Sequence, residues 1–158
     1  MNQTYRTLLT TFVAMLALAG GAAFAQAELF LVVQRGSPAA VADVIELGAD
    51  LNARDAFGLT PLMVAASTNY DETVHITLIR AGADVNARTP EGWTALMYAA
   101  RDNKNPEVIT ALLELGADPT LINDDGLTAQ AYAGANSFMR VSGIFETLQR
   151  LDGQPSTP

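Results

Sequence analysis

A repeat of constant length constrains this sequence more than any other feature. The segments GADLN, GADVN and GADPT begin at Gly48, Gly82 and Gly116, which are separated by two steps of 34 residues. A second series keeps the same step, because GLT, GWT and GLT begin at Gly58, Gly92 and Gly126. Two independent markers with one such period predict stacked supersecondary units, each of which buries its apolar face only against its neighbours.

Each unit carries the signals of two helices. Thr60 is typical of a helix N-cap and Pro61 of the first helical position. The second helix has Val74 and Leu78 at helical spacing, and we expect it to end at Gly82, because glycine readily adopts the left-handed conformation that terminates a helix. A hairpin-like turn then leads to the next first helix.

These residues resemble the ankyrin repeat, whose pattern is a turn glycine, TPLHxAA, a second helix rich in leucine and valine, and GADxN. The second unit, with GLTPLMVAA and GADVNAR, and the third, with GWTALMYAA and GADPT, are close fits. The resemblance implies an all-α fold, an ankyrin-repeat solenoid of about four helix-turn-helix units with hairpin-like loops. This domain covers residues 26–151, with repeats at about 27–54, 55–88, 89–122 and 123–151. The last repeat is degenerate, as expected of a terminal cap that packs only one face.

Two departures from the family pattern predict local differences. Met63, Met97 and Ala131 replace the histidine of TPLH, and methionine fills that space without needing a hydrogen bond. We therefore expect an apolar seam between the repeats. The second and third repeats also contain one residue more than the usual 33 of the family, located between their two helices. A local bulge is one way to accommodate it, and a longer loop is the way we expect.

The first 25 residues differ from the repeats and have the features of a secretory signal peptide. An apolar stretch runs from Leu8 to Ala19, too short to span a membrane, and Ala23-Phe24-Ala25 has the small residues that signal peptidase requires. We predict cleavage after Ala25 and a periplasmic or secreted protein with no stable membrane anchor. The alternative is an uncleaved segment that tethers the chain. Residues 152–158 are predicted to be a flexible tail.

The sequence offers few groups for catalysis. It has no cysteine, one histidine, a formal charge of −8 and a pI near 4.4. These values exclude disulfides and thiol chemistry and argue against binding to nucleic acid. We expect His75 to be a partly buried, hydrogen-bonded structural residue, and Asp124 and Asp125 to form a solvated turn. The sequence therefore predicts no catalytic residue, no metal site and no cofactor.

The stack leaves side chains free at the hairpin tips and at the exposed ends of the first helices. The resemblance implies that partners bind there, on a concave face. By their phase in the repeat, the candidate partner-binding residues are Phe57, Leu59, Ser67, Thr68, Asn69, Tyr70, Glu91, Trp93, Arg101, Asp102, Asn103, Asp125 and Leu127. Trp93 is the only tryptophan, and we predict that it anchors the interface with a partner. The alternative interpretation is that its ring packs against the next hairpin. Tyr98 is expected to lie in the core.

The leading functional hypothesis is a non-catalytic, secreted module that binds another protein. The negative charge favours a basic partner, and a factor that assists or protects an exported enzyme fits, as does an immunity-type inhibitor of a toxin. Two other classes stay open, a homodimeric scaffold and a small hydrolase that uses His75, Asp124 or Asp125. The hydrolase is disfavoured because no set of side chains forms a recognisable catalytic arrangement.

Overall fold

The computed structural model describes residue 21 and residues 23–152, which contain nine helices. Their bounds are α1 (residues 23–35), α2 (Pro38–Glu46), α3 (Pro61–Thr68), α4 (Glu72–Arg80), α5 (Ala95–Asp102), α6 (Pro106–Glu114), α7 (Ala129–Ala135), α8 (Ser137–Val141) and α9 (Ile144–Asp152). No strand occurs in these residues, and the prediction of an all-α solenoid is confirmed. Most of the predicted signal peptide and residues 153–158 lie outside the described residues. Asp152, which we assigned to the tail, is instead the last residue of α9.

The helices form two layers along the stack. The first helices α3, α5 and α7 pack side by side, and the second helices α2, α4 and α6 pack in a second layer. At the end of the stack, α8 and α9 pack against α7. At the other end, α1 contributes Leu29 and Val33, both fully buried, to one hydrophobic core that runs through all the repeats.

The first helices begin at the residues that the sequence predicts. The hydroxyls of Thr60 and Thr94 accept hydrogen bonds from the main-chain N–H groups of Met63 and Met97, at 3.4 and 3.3 Å. Pro61 occupies the first helical position, where its missing N–H costs no hydrogen bond. Caps of this kind stabilise a helix by about 1 kcal/mol each. They therefore fix where α3 and α5 start after their hairpins.

Two of the three residues that replace the pattern's histidine lie in the seam between repeats. Met63 and Met97 are each 1% exposed and belong to the continuous core. Alanines such as Ala65 and Ala99, both fully buried, keep the facing helices close together. The expected apolar seam is confirmed at these two positions. Ala131, in the last repeat, is exposed and lies outside the seam.

The extra residue between paired helices is accommodated in a loop, as we expect. Residues 69–71 join α3 to α4, and residues 103–105 join α5 to α6. Each loop begins with an asparagine, and the N–H groups of Asn69 and Asn103 still donate to helix carbonyls. The first helices therefore end regularly and contain no bulge.

These loop asparagines form a ladder along the stack. The Asn103 amide donates to the carbonyls of Ala66 and Asn69 in the preceding repeat, at 2.8 and 3.0 Å. Its Oδ1 accepts from the N–H of Asn105 at 2.8 Å. The amides of Asn69 and Asn136 likewise reach carbonyls of the repeat before them. Each loop is thus hydrogen-bonded to the loop before it.

Hairpin-like turns connect the repeats, as predicted. In the second turn, the N–H of Thr89 donates to the carbonyl of Trp93 at 2.9 Å. Gly92 has a φ of 81°, and a Cβ there would lie 3.0 Å from the main chain of the third turn. The N–H of Asp124 donates to the Glu91 carbonyl at 3.0 Å. The turns therefore pack against each other in a row.

Helix α1 continues across the predicted cleavage point. Ala25 is 1% exposed and belongs to the core, and the Oε1 atom of Gln26 accepts a hydrogen bond from the N–H of Asp50 at 2.9 Å. Asn52 accepts from the N–H of Asp84 in the same way one repeat later. Gln26 is therefore the first member of a second ladder, on the hairpin side. Cleavage after Ala25 stays a prediction.

Candidate functional site

Most of the predicted binding residues lie on one surface, which we call the hairpin face. It consists of the hairpin turns at residues 55–59, 89–93 and 123–127 together with the exposed sides of α3, α5 and α7. Each turn directly precedes one of these helices. The row of tips and the row of helices therefore form one continuous surface.

Three aromatic rings lie together on the hairpin face. The Trp93 indole lies beside Tyr98 of α5 and Tyr132 of α7, with ring centroids 5.1 and 4.5 Å away and planes tilted by 36°. All three rings are partly buried. Trp93 thus packs toward the next repeat, which is the alternative that the sequence left open, and keeps part of its surface exposed. Its role as an interface anchor stays a prediction.

Arg101 covers this aromatic cluster. Its guanidinium carbon lies 4.4 Å from the ring centroid of Trp93 and 5.2 Å from that of Tyr98. At an exposed site such a contact contributes roughly 0.5–1 kcal/mol. The Nε and Nη2 groups of Arg101 donate to the two carboxylate oxygens of Asp102, each at 2.8 Å. The Ser67 hydroxyl of the preceding repeat donates to the same carboxylate at 3.0 Å and so helps to hold the group that binds Arg101.

The charged state of Arg101 follows from these contacts. The hydrogen bond to Asp102 raises the pKa of Arg101, whereas partial burial acts in the opposite direction. An arginine is protonated in proteins in any case, so the guanidinium is a permanent positive charge beside the Asp102 carboxylate.

Burial and neighbouring charges both act on the pKa of Tyr98. Burial raises the pKa of Tyr98, Arg101 opposes this, and the negative charges of Glu91, Asp102 and Asp55 raise the pKa further. These three carboxylates belong to the second turn, to α5 and to the first turn. No residue of the described part of the chain forms a hydrogen bond with the hydroxyl.

Tyr132 connects the aromatic cluster to the third turn. The Asn123 amide, which is 4% exposed, donates to the Tyr132 hydroxyl at 2.7 Å. Tyr132 was not among the predicted binding residues. Tyr98 was expected to lie in the core, which the structure corrects because that ring is only partly buried. The repeat contained the necessary signal, because Tyr98 and Tyr132 are 34 residues apart and occupy the same phase.

Most of the other predicted binding residues are accessible. The exposed ones are Phe57, Thr68, Tyr70, Glu91, Asp125 and Leu127, and the partly buried ones are Leu59 and Ser67. Phe57 is 79% exposed at the tip of the first turn. Tyr70 lies instead in the loop between α3 and α4, where the Lys104 ammonium is 6.0 Å from its ring centroid. Tyr70 is therefore not part of the hairpin face.

The structure corrects the expectation that Asn69 and Asn103 have free side chains. They are 6% and 0% exposed, and their amides make the hydrogen bonds of the loop ladder. Buried amides of this kind are bonded within the protein and are not presented to a partner. Both residues therefore belong to the scaffold.

His75 lies in the core, away from the hairpin face. It is fully buried, and its Nδ1 atom lies 3.1 Å from the carbonyl oxygen of Asp71, which places the proton on Nδ1. Nε2 is buried and unbonded within the described residues. Burial lowers the pKa of His75, although the carbonyls of Asp71 and Ala65 and the charges of Asp71 and Glu72 oppose this. The expectation of a partly buried residue is corrected, because the burial of His75 is complete, and only one of its ring nitrogens is bonded within the described residues.

The acidic pair Asp124 and Asp125 is exposed at the tip of the third turn. The charges that act on the pKa of His75 are those of Asp71 and Glu72, which lie beside it in the chain. Among the described residues, no group of three or more acidic or histidine side chains is arranged to hold a metal ion. None of the helices in residues 23–152 combines the length and the apolar character that a membrane span needs.

Comparison with protein families gives one match. The model described as ankyrin repeats, in three copies, matches residues 29–138, which is well over half of the chain. The match extends from α1 to the beginning of α8 and includes the whole hairpin face. No curated protein is significantly similar to the chain.

Proposed function

Since the chain belongs to the ankyrin repeat family, whose repeats are protein–protein interaction modules, we propose that it acts without catalysis as a secreted module that binds an exported protein. The contact surface is the hairpin face. The observation that carries this proposal is the aromatic cluster of Trp93, Tyr98 and Tyr132, covered by Arg101.

The composition of this cluster supports a role in binding. Tryptophan, tyrosine and arginine are the residues that contribute most often to the energetic centre of a protein interface. Arg101 is also held in place by Asp102 and by Trp93. Its side chain therefore loses little conformational freedom when a partner contacts it. A rigid centre of this kind favours tight association.

Phe57, at the edge of the hairpin face, is a second argument for the same contact surface. A phenylalanine that is 79% exposed contributes little to the fold, and it stands at a hairpin tip beside the tip that carries Glu91. An exposed aromatic side chain next to a polar aromatic cluster is typical of interaction surfaces.

Secretion is supported by the leader alone. The charged start, the apolar stretch and the Ala23-Phe24-Ala25 segment have the order that signal peptidase substrates have. The absence of cysteine is compatible with an oxidising compartment, because no thiol is available for unwanted disulfides.

The experiment is capture of a partner from the periplasm. The chain is expressed in a bacterium with its own leader and a C-terminal tag, and co-purifying proteins are identified for the parent, for Phe57→Ala and for Phe138→Ala. Phe138 is the matched control, because it is 51% exposed but lies in α8, outside the hairpin face.

We expect a partner that co-purifies with the parent and with Phe138→Ala but is strongly reduced with Phe57→Ala. Equal loss in both variants, or a partner lost only with Phe138→Ala, would contradict the proposed surface. A tagged chain found in the cytoplasm with its leader intact would contradict secretion and leave the surface to be tested in the same way.

A further inference from the structure

The second ladder, on the hairpin side, uses its amide side chains in two different ways. The Asn52 amide donates to the Gly82 carbonyl at 3.2 Å, and its Oδ1 atom accepts from the Asp84 N–H at 2.8 Å. Asn86 makes the equivalent pair of bonds one repeat later. The Gln26 amide uses its oxygen alone, because its Nε2 atom is buried and has no hydrogen-bond partner in the described residues. The Nε2 group of Gln26 therefore contributes no bond to the ladder.

The predicted cleavage after Ala25 makes Gln26 the first residue of the mature chain. Burial of Ala25 in the described chain does not oppose this cleavage, because the leader is removed during export, before the repeats fold. The main-chain nitrogen of Gln26 is then an α-amino group, and such groups have a pKa of about 7.7–8.0. At neutral pH a part of them is unprotonated and able to attack a carbonyl carbon. The side-chain Cδ of Gln26 is within reach, because attack there closes an unstrained lactam ring.

The Asp50 N–H is directed at the oxygen of this side-chain amide. It donates to the Oε1 atom of Gln26 at 2.9 Å. An amine that attacks a carbonyl carbon places negative charge on the carbonyl oxygen, and an N–H group already directed at that oxygen stabilises the charge. The departing Nε2 group gives up no hydrogen bond, because it has none within the described residues. The ladder therefore assists ring closure at the oxygen and does not hold the leaving group.

From these observations we propose that Gln26 is converted to pyroglutamate in the mature chain, with the Asp50 N–H assisting the step. The α-amino nitrogen forms a bond to Cδ and loses one proton, the bond between Cδ and Nε2 breaks, and Nε2 leaves with that proton as ammonia. Oε1 stays as the lactam carbonyl oxygen, so an acceptor for the Asp50 N–H is retained. The step consumes no other reactant. The proposal goes beyond the proposed function and rests on its secretion part alone.

Ring closure changes the start of helix α1. After cleavage this helix begins at Gln26, where a free α-ammonium group would stand at the positive end of the helix dipole. The lactam is uncharged and removes this repulsion. It also removes the free amine that aminopeptidases require, and so protects a helix that contributes Leu29 and Val33 to the core. The modification thus stabilises the first repeat, which has a neighbour on one side only.

The first measurement is the mass of the N-terminal peptide of the exported chain. The chain is expressed with its own leader and a C-terminal tag, purified from the periplasm and digested with trypsin, which releases residues 26–35. The control is Gln26→Asn, because asparagine keeps the amide but is too short to close an unstrained ring. We expect the parent peptide to be lighter by the mass of ammonia than a peptide with an intact Gln26, and the variant peptide to have its unmodified mass.

The second measurement follows ring closure without export. The chain is released from a fusion by a protease that cleaves directly before Gln26, and mass spectrometry follows the loss of ammonia in the folded chain and in the chain unfolded by guanidinium chloride. We expect the reaction to be at least about tenfold faster in the folded chain, since one directed donor accelerates such steps by ~100-fold or more in an enclosed site. An equal or slower reaction in the folded chain would overturn the role of the Asp50 N–H.

The outcomes are separable from those of the proposed function. An unmodified Gln26 at the terminus of the exported chain would overturn the modification and leave secretion supported. A terminus at another residue, or an intact leader, would overturn the modification together with the predicted cleavage. Binding of a partner is judged independently of both, by the effect of Phe57→Ala on capture.

Discussion

The ladder of loop asparagines predicts that one small substitution, Asn103→Ala, greatly lowers the free energy of unfolding. The side chain is fully buried and makes three hydrogen bonds, to the carbonyls of Ala66 and Asn69 and from the N–H of Asn105. A net hydrogen bond is worth about 1 kcal/mol, and each buried group left without a partner adds to the loss. The free energy of unfolding should therefore fall by roughly 3 kcal/mol.

The matched control is Asn52→Ala, in the hairpin-side ladder. Asn52 donates to the Gly82 carbonyl at 3.2 Å and accepts from the Asp84 N–H at 2.8 Å, but it is exposed, so water replaces both partners. Its loss should cost roughly 0.5–1 kcal/mol. Urea unfolding followed by circular dichroism measures both values. Equal losses in the two variants would refute the argument that burial sets the cost.

Three further predictions concern the scaffold. The pKa of His75 is lower in the folded than in the unfolded chain, so the unfolded chain takes up the proton first as the pH falls below ~6.5. The free energy of unfolding should therefore be unaffected by His75 above that pH and decrease just below it, by at most about 1.4 kcal/mol per pH unit. Urea unfolding measures this slope, which should disappear in His75→Leu. Gly92→Ala should lower the melting temperature more than Gly116→Ala, because both glycines have positive φ but only at Gly92 would a Cβ contact a neighbouring turn; equal shifts would exclude that contact. Met97→Ala should cost about 3 kcal/mol by opening a cavity in the seam, and a loss below about 1 kcal/mol would mean that the seam is loosely packed.

The sequence predicted those parts of the fold that are local or strictly periodic. Thr60 and Pro61 signal a helix start within one repeat, and the structure places the cap and the first turn at these residues. Met63 was recognisable as a seam residue because it replaces the family's histidine at a defined position. Such features need only the short stretch of chain around them.

The rest depends on contacts between repeats, which short stretches do not specify. Asn103 has the polarity and the position of a surface residue, and it is buried only because the neighbouring loop offers its carbonyls. Tyr132 was missed for a similar reason, since its role depends on the indole of Trp93, which lies in the hairpin turn of the preceding repeat. In both cases the 34-residue spacing was a usable signal, because side chains at equal phase stack on each other.

The central claim is that a partner protein binds at the hairpin face, and site-specific photo-cross-linking tests it most directly. A photo-reactive phenylalanine analogue replaces Phe57 in one variant and Phe138 in the other, and each is irradiated in cells that export the chain. The account predicts a covalent adduct with another protein at position 57 and none at position 138. An adduct at position 138 alone, or no adduct at position 57, would contradict it.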